Sequence, residues 1–189
     1  MSTGIQRWRV PLGFVAAAVL IIAARPHRLS LLVGLPLAVL GLAVRAAAAG
    51  HIRKNEVLAT TGPYRFTRNP LYLGSAILAL GLVVAAASWL LAVIAIAMLV
   101  GIYLPVIRRE EQFLSQRFGA EFDAYAARVP RLWPRQPPRR RAEGKSFSLA
   151  LYLQHREYHA LLGFLVIALV LVAKWLAPIA GLAGALARW

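Results

Sequence analysis

Four long stretches of this chain carry almost no charge, and polar segments punctuate them. The first runs from Val10 to Ala24. The second runs from Leu29 to Val44 and continues after Arg45 through the small run Ala46–Gly50. The third, Leu71 to Ile107, has no charged residue at all, and the fourth is Leu161 to Ala173. Crossing the hydrocarbon layer of a bilayer takes roughly 20 apolar residues in a helix. Leu71–Ile107 is too long for one crossing and short for two, so the pattern predicts a tight helical hairpin that turns near Ala87-Ser88-Trp89. The expectation is an all-α, polytopic membrane helix bundle of about five transmembrane helices, hairpin included. The first stretch lacks a small-residue cleavage site followed by a soluble domain, so it reads as a retained helix. Pro36 lies inside the second helix and is placed to kink it.

Between the second and third stretches the period breaks. "TGPYRFTRNPLYLG", Thr61 to Gly74, packs two Pro, two Gly, two Arg and two Tyr into one short segment. Gly62-Pro63 and Asn69-Pro70 are turn signals, and Pro70 suits the first turn of a helix starting there. This segment reads as a folded loop at the membrane surface. Beyond Ile107, Leu114, Phe118, Phe122, Tyr125 and Val129 recur at helical spacing. At 100° per residue they fall within a sector of about 80°, an amphipathic helix. Glu111 falls inside that apolar sector and Glu110 near its edge. A carboxylate centred on an apolar stripe is buried and requires a cation or donors. Two readings follow: an ion pair with Arg65 or Arg68 that pins helix to loop, or a carboxylate facing a cationic ligand.

Composition agrees with a membrane protein, at 60% hydrophobic and 15% charged. The net charge is +15, from 22 Lys and Arg against 7 Asp and Glu. The bases cluster in His51–Arg68 and Arg108–Arg156, the latter including "RQPPRRR". Topology and anionic membrane lipid explain such clusters more simply than nucleic acid does. Both connections are expected on the cytoplasmic side, which leaves the "RPHR" loop near Arg25 on the other face. With no Cys, disulfides, thiolate metal sites and a Cys nucleophile are excluded. The four His show no His-Glu-x-x-His spacing, so no metal is expected. The chain divides into N-terminal helices (1–50), a core (51–134), an irregular basic connector (135–156) and a C-terminal helix (157–189).

The loop supplies Arg65, Arg68, Asn69, Tyr64 and Tyr72, the helix supplies Glu110 and Glu111, and His51 stands at the end of the second helix. Arg binds a carboxylate through a two-toothed fork, while Glu and the face of Tyr hold a cation. Together they suit a polar zwitterion at the membrane surface. Phosphate-loop and GxGxxG patterns are absent.

"GPYRFTRNPLYLG" followed by "REEQFLSQRFGAEFDAYAARVPRLWP" resembles the isoprenylcysteine carboxyl methyltransferase and phospholipid methyltransferase superfamily. The shared pattern is Gly-Pro-Tyr, then Arg-His-Pro-x-Tyr-x-Gly, then a Glu-Glu pair followed by Phe-Gly, a Tyr and Val-Pro. It covers about His51 to Pro134. Asn69 stands where many members have His, which removes a proton carrier but not a hydrogen-bond donor.

The resemblance implies an S-adenosylmethionine-dependent methyltransferase with a cytosol-facing cofactor pocket and no separate nucleotide-binding domain. Carried over by position, Arg68, Asn69, Pro70, Tyr72 and Gly74 form the cofactor loop, with Tyr64 and His51 beside it. Glu110 and Glu111 give the acidic side, and Arg128, Pro130 and Leu132 close over the cofactor. Arg68, Glu110 and Glu111 are the candidate catalytic residues. The acceptor is expected to be lipophilic and to arrive from the bilayer: an isoprenylcysteine carboxylate, a phospholipid amine or another lipid. Arg- and Ala-rich composition suits a bacterial inner membrane. Two other readings stand beside this one. Membrane sterol reductases share a similar Arg-His-x-x-Tyr loop and use NADPH, but they are larger. A non-enzymatic membrane scaffold would need the loop only for structure.

Overall fold

The computed structural model describes residues 15, 18, 19, 22–52, 57–135 and 147–186, with side chains as far as 177. Most of the predicted first helix, Val10–Ala24, and the "RQPPRRR" run after Arg135 lie outside the described residues. Among the described residues there is no strand. Helix α1 is Arg28–Ala49, and a 3-10 turn, Gly62–Arg65, follows. Next come α2 (Pro70–Ala86), α3 (Trp89–Met98), a π-helical turn (Leu99–Tyr103) and α4 (Leu104–Phe118). Helices α5 (Ala120–Ala126), α6 (Leu149–Gln154) and α7 (Tyr158–Leu186) complete the order.

Three helical runs are long and apolar enough to cross a membrane: Arg28–Ala49, Trp89–Phe118 and Tyr158–Ala177. Helix α2 adds a shorter apolar run of 17 residues, about 25 Å at 1.5 Å per residue. The protein is a helical membrane bundle, and large apolar side chains such as Leu40, Ile96 and Leu169 face outward. The hairpin turns where the pattern places it. Ala87 takes a left-handed conformation with φ 49°, and α3 starts at Trp89 after Ser88. Arg25 N–H donates to the Ala86 carbonyl (2.8 Å), which ties the start of α1 to this turn.

Helices α1 and α2 pack most closely, and glycine permits it. A Cβ on Gly34 would stand 2.3 Å from Ala85 N, one on Gly41 2.3 Å from Leu78 N, and one on Gly81 2.3 Å from Ala38 N. Small residues let membrane helices approach backbone to backbone, where van der Waals contact replaces the missing hydrophobic drive. Ala38, Ala85 and Ala86 fill this seam, and Phe164 and Leu171 of α7 close its other side.

Two expectations need correction. The amphipathic stretch is not a separate helix from Arg108 to Val129. Its first half, α4, continues the membrane-crossing run without a break, because nothing between Trp89 and Phe118 interrupts the helical hydrogen bonds beyond one π turn. Gly119, with φ +51°, then ends α4, and α5 starts in a new direction. The segment read as an irregular connector carries α6, whose first turn is capped by Ser148. Pro36 sits within α1 without ending it.

Candidate functional site

The site lies where the loop after α1, the first turn of α2 and the end of α4 meet. Gly62 (φ +57°) opens the 3-10 turn against the His51 ring, where a Cβ would come within 2.5 Å of Cδ2. His51 Nδ1 donates to the Ala47 carbonyl (2.7 Å), so its ring caps α1 and braces the loop. The Tyr64 phenol is buried, and Tyr125 Oη donates to the Tyr64 carbonyl (2.8 Å), locking α5 onto the turn. Burial pushes both phenols well above the usual tyrosine range. For Tyr64 the Glu110 carboxylate adds to that rise, with smaller contributions from Tyr125, Glu157 and Tyr72. For Tyr125 the nearby Arg68 works against the rise and Glu111 with it. Both remain neutral hydroxyls at ordinary pH.

Asn69 occupies the cap position of α2, yet its side chain makes no cap bond. Its Nδ2 donates instead to Glu111 Oε1 (3.1 Å) and to the Arg131 carbonyl (3.0 Å). Glu111, 7% exposed, is therefore bound from three sides. Arg68 Nε stands 3.2 Å from its Oε1, and Arg131 Nε donates to its Oε2 at 2.8 Å. Thr67, fully buried, donates to the Arg131 carbonyl (3.0 Å), and Arg68 N–H donates to the Pro130 carbonyl (2.9 Å). These bonds splice residues 130–131 onto the loop. Two guanidinium groups around one carboxylate leave a net positive charge. Arg68 Nε is buried against this carboxylate without a well-formed hydrogen bond.

Glu110 turns the other way. Its Oε2 accepts from Tyr72 Oη (2.8 Å), and the Tyr72 ring meets Tyr103 edge-on, with centroids 5.8 Å apart. Between the two carboxylates is a cavity of about 190 Å³. Tyr64, Arg68, Asn69, Pro70, Tyr72, Glu110 and Glu111 border it, so seven of the sequence candidates converge. Leu58, Phe113, Leu114 and Phe118 make its apolar side.

Five candidates do not reach the cavity. Gly74 is buried in the α1–α2 seam, with Gly41 O and Arg45 Cγ both 2.8 Å from where its Cβ would be. His51 caps and braces. Arg128 is exposed in the turn after α5, and its Nε donates to the Ala124 carbonyl (2.9 Å) of that helix. Pro130 contributes its carbonyl to Arg68, and Leu132 is half-buried nearby. Sequence reasoning missed Arg131. The buried Glu111 demanded cations, but only Arg65 and Arg68 were weighed, because nothing local ties "VPRLWP" to α4. Among the described residues no group of three His, Asp or Glu is arranged to hold a metal ion.

The sequence model of the family described as phospholipid methyltransferase matches residues 29–121. That segment holds α1, the loop, the hairpin and both carboxylates. Residues 29–121 belong to the phospholipid methyltransferase family. The family segment ends before Arg131, so the third partner of Glu111 comes from chain beyond it. Two relatives are similar over parts of their length. One is the cobalt-zinc-cadmium resistance protein CzcN of Cupriavidus metallidurans, 39% identical over 139 residues, which is 68% of this chain and 62% of the relative. The other is the nickel-cobalt-cadmium resistance protein NccN of Alcaligenes xylosoxydans xylosoxydans, 42% identical over 83 residues, 44% of this chain and 38% of the relative. The match thus spans less than two thirds of either relative. No solved structure matches the chain.

Proposed function

We propose that the chain is an integral membrane methyltransferase that uses S-adenosylmethionine and methylates a lipophilic acceptor taken from the bilayer. The observation that carries this reading is the buried Glu111, bound by Asn69, Arg68 and Arg131 at the edge of a half-apolar cavity. It lies within a segment of the phospholipid methyltransferase family. S-adenosylmethionine, if bound, would supply a methyl group on a sulfonium: the acceptor's lone pair would bond to the methyl carbon in line as the carbon–sulfur bond breaks, leaving S-adenosylhomocysteine.

The residues present suit such a cofactor. Arg68 and Arg131, two guanidinium groups around the single Glu111 carboxylate, leave a net positive charge that suits an amino-acid carboxylate. Glu110, with Tyr72 and Tyr103, offers a carboxylate and ring faces for positive charge. The apolar wall of Leu58, Phe113, Leu114 and Phe118 excludes water from the reacting end. A cavity of about 190 Å³ is smaller than the roughly 300–1,000 Å³ of most small-molecule sites. Loading the whole cofactor therefore requires the walls to part. Arg131, half-exposed where it pairs with Glu111, is the side chain best placed to move.

Little proton chemistry is needed if the acceptor is a carboxylate, and positioning then supplies most of the rate. If the acceptor is an amine, Glu110 is the group to take its proton. Tyr64 and Tyr125, held neutral by burial, are not bases. The loop and the carboxylates face the cytoplasm of a bacterial inner membrane on this reading, because the cofactor is made there.

The test is transfer of a radiolabelled methyl group from S-adenosylmethionine into membrane lipid. Membranes from cells grown with and without cobalt, zinc and cadmium are the extracts to try, given the names of the two relatives. Label in the organic phase with wild-type protein, and none with Glu111→Gln, supports the reading. Equal label with both proteins contradicts it.

A further inference from the structure

Outside this site the structure holds a second buried ion pair. Arg45, little more than a turn from the end of α1, grips Glu157 with both arms of its guanidinium. Nε donates to Oε2 (3.0 Å) and Nη2 to Oε1 (2.9 Å). The third nitrogen, Nη1, donates to Ser75 Oγ on α2. Both side chains are largely buried, at 23% and 11% exposed. One guanidinium thus joins α1, α2 and the start of α7. Charges buried at the edge of a membrane are expensive to keep and usually mark function.

The surrounding chain is shaped around this pair. Arg45 crosses α2 at Gly74, where a Cβ would stand 2.8 Å from its Cγ. Arg156, just before Glu157, takes φ +53°, a conformation disfavoured for a residue with a side chain. The strained turn delivers Glu157 to Arg45. The same segment grips the end of α1: Ser148 N–H donates to the Gly50 carbonyl (3.0 Å), and His155 Nε2 to the Ile52 carbonyl (3.1 Å). Ile52 and Tyr64 are walls of the candidate cavity. Glu157 is close enough to the Tyr64 phenol to oppose its ionisation.

We propose that Arg45 and Glu157 are a positioning pair through which the C-terminal segment, which lies beyond the family match, holds the Ile52 wall of the candidate site in place. Gly74 then belongs to the loop pattern because it gives Arg45 passage rather than because it touches a ligand. The proposal rests on the methyltransferase reading only for the ligand used as probe.

The experiment uses the full chain in detergent, with two readouts. S-adenosylhomocysteine affinity is measured by calorimetry in wild type, Glu157→Gln, Arg45→Lys and the charge exchange Arg45→Glu with Glu157→Arg. The single variants are expected to weaken binding about tenfold, with Lys less severe because it keeps the charge but not the fork. The exchange is expected to recover affinity to within about threefold of wild type. The second readout needs no cofactor. The chain has no Cys, so Ile52→Cys reports alone, and its maleimide labelling is expected to quicken when Glu157→Gln is added and to slow again in the exchange. Single variants that melt earlier yet keep wild-type affinity and labelling rate would overturn the proposal, since the pair would then serve the fold alone. Wild type that fails to bind S-adenosylhomocysteine while labelling follows the pair would sink the cofactor reading and leave the wall standing. Should Glu157→Gln fail to fold, Arg45→Lys carries both readouts.

Discussion

At the scale of single residues, Glu111 organises the site. Its burial was legible because the carboxylate falls on an apolar stripe, and one of its partners, Arg68, was among the two weighed. Arg131 was not legible, because it lies 20 residues along the chain and reaches Glu111 only after Gly119 redirects the chain. Asn69→Ala removes two donors at once and leaves Glu111 and the Arg131 carbonyl short of partners. It should lower stability in detergent by about 1–3 kcal/mol, measured by thermal or denaturant unfolding. Glu111→Gln should weaken it by about 2 kcal/mol, below the usual range for a buried pair because Arg131 is half in water. Tyr64 gives a pH prediction. Its folded pKa is raised, so below the ordinary phenol value of about 10 both folded and unfolded forms are protonated and this contribution is fully present. Above that value the unfolded chain ionises while the folded one resists, and stability falls as pH rises. Tyr64→Phe should flatten the alkaline decline of melting temperature between pH 9 and about 11. An unchanged slope would mean that the phenol is not held neutral.

At the scale of elements, the apolar runs marked the hairpin and its turn because a bilayer imposes length and period directly. Ends of elements were less legible. The run Trp89–Phe118 changes from apolar to amphipathic midway, and a change of surroundings looks like a change of element. The α1–α2 seam explains glycines whose role the pattern alone did not reveal. Gly81→Ala should destabilise by about 1–3 kcal/mol, since backbone atoms of Ala38 stand in the way and cannot turn aside. Gly163→Ala in α7 meets nothing within 4 Å and should stabilise by up to about 1 kcal/mol through helix propensity. Both are read from melting temperatures. If Gly81→Ala left the melting temperature unchanged or raised it, the close seam would be wrong.

At the scale of the whole molecule, the site is a composite. The family segment supplies both carboxylates and the loop, Arg131 comes from beyond it, and the segment around Glu157, also beyond it, holds the end of α1 and the Ile52 carbonyl. Such long-range contacts have no local trace in sequence, which explains why the C-terminal helix was set apart from the core there. The fold puts the loop and the hairpin turn at opposite ends of α2, and the proposed function puts the loop on the cytoplasmic side. Phe66 of the loop and Trp89 at the hairpin turn, both exposed, should lie on opposite faces of the membrane. In the Cys-free chain, an impermeant maleimide added to intact cells should label Trp89→Cys and spare Phe66→Cys.

The central claim is that the loop and the paired carboxylates form a cofactor site. It is tested most directly by calorimetric titration of the detergent-solubilised protein with S-adenosylhomocysteine. Binding in the micromolar range is expected, weakened at least about tenfold in Arg68→Ala and in Glu111→Gln while both variants stay folded. A folded wild-type protein that takes up no S-adenosylhomocysteine, or variants that bind it as well as wild type does, would contradict it.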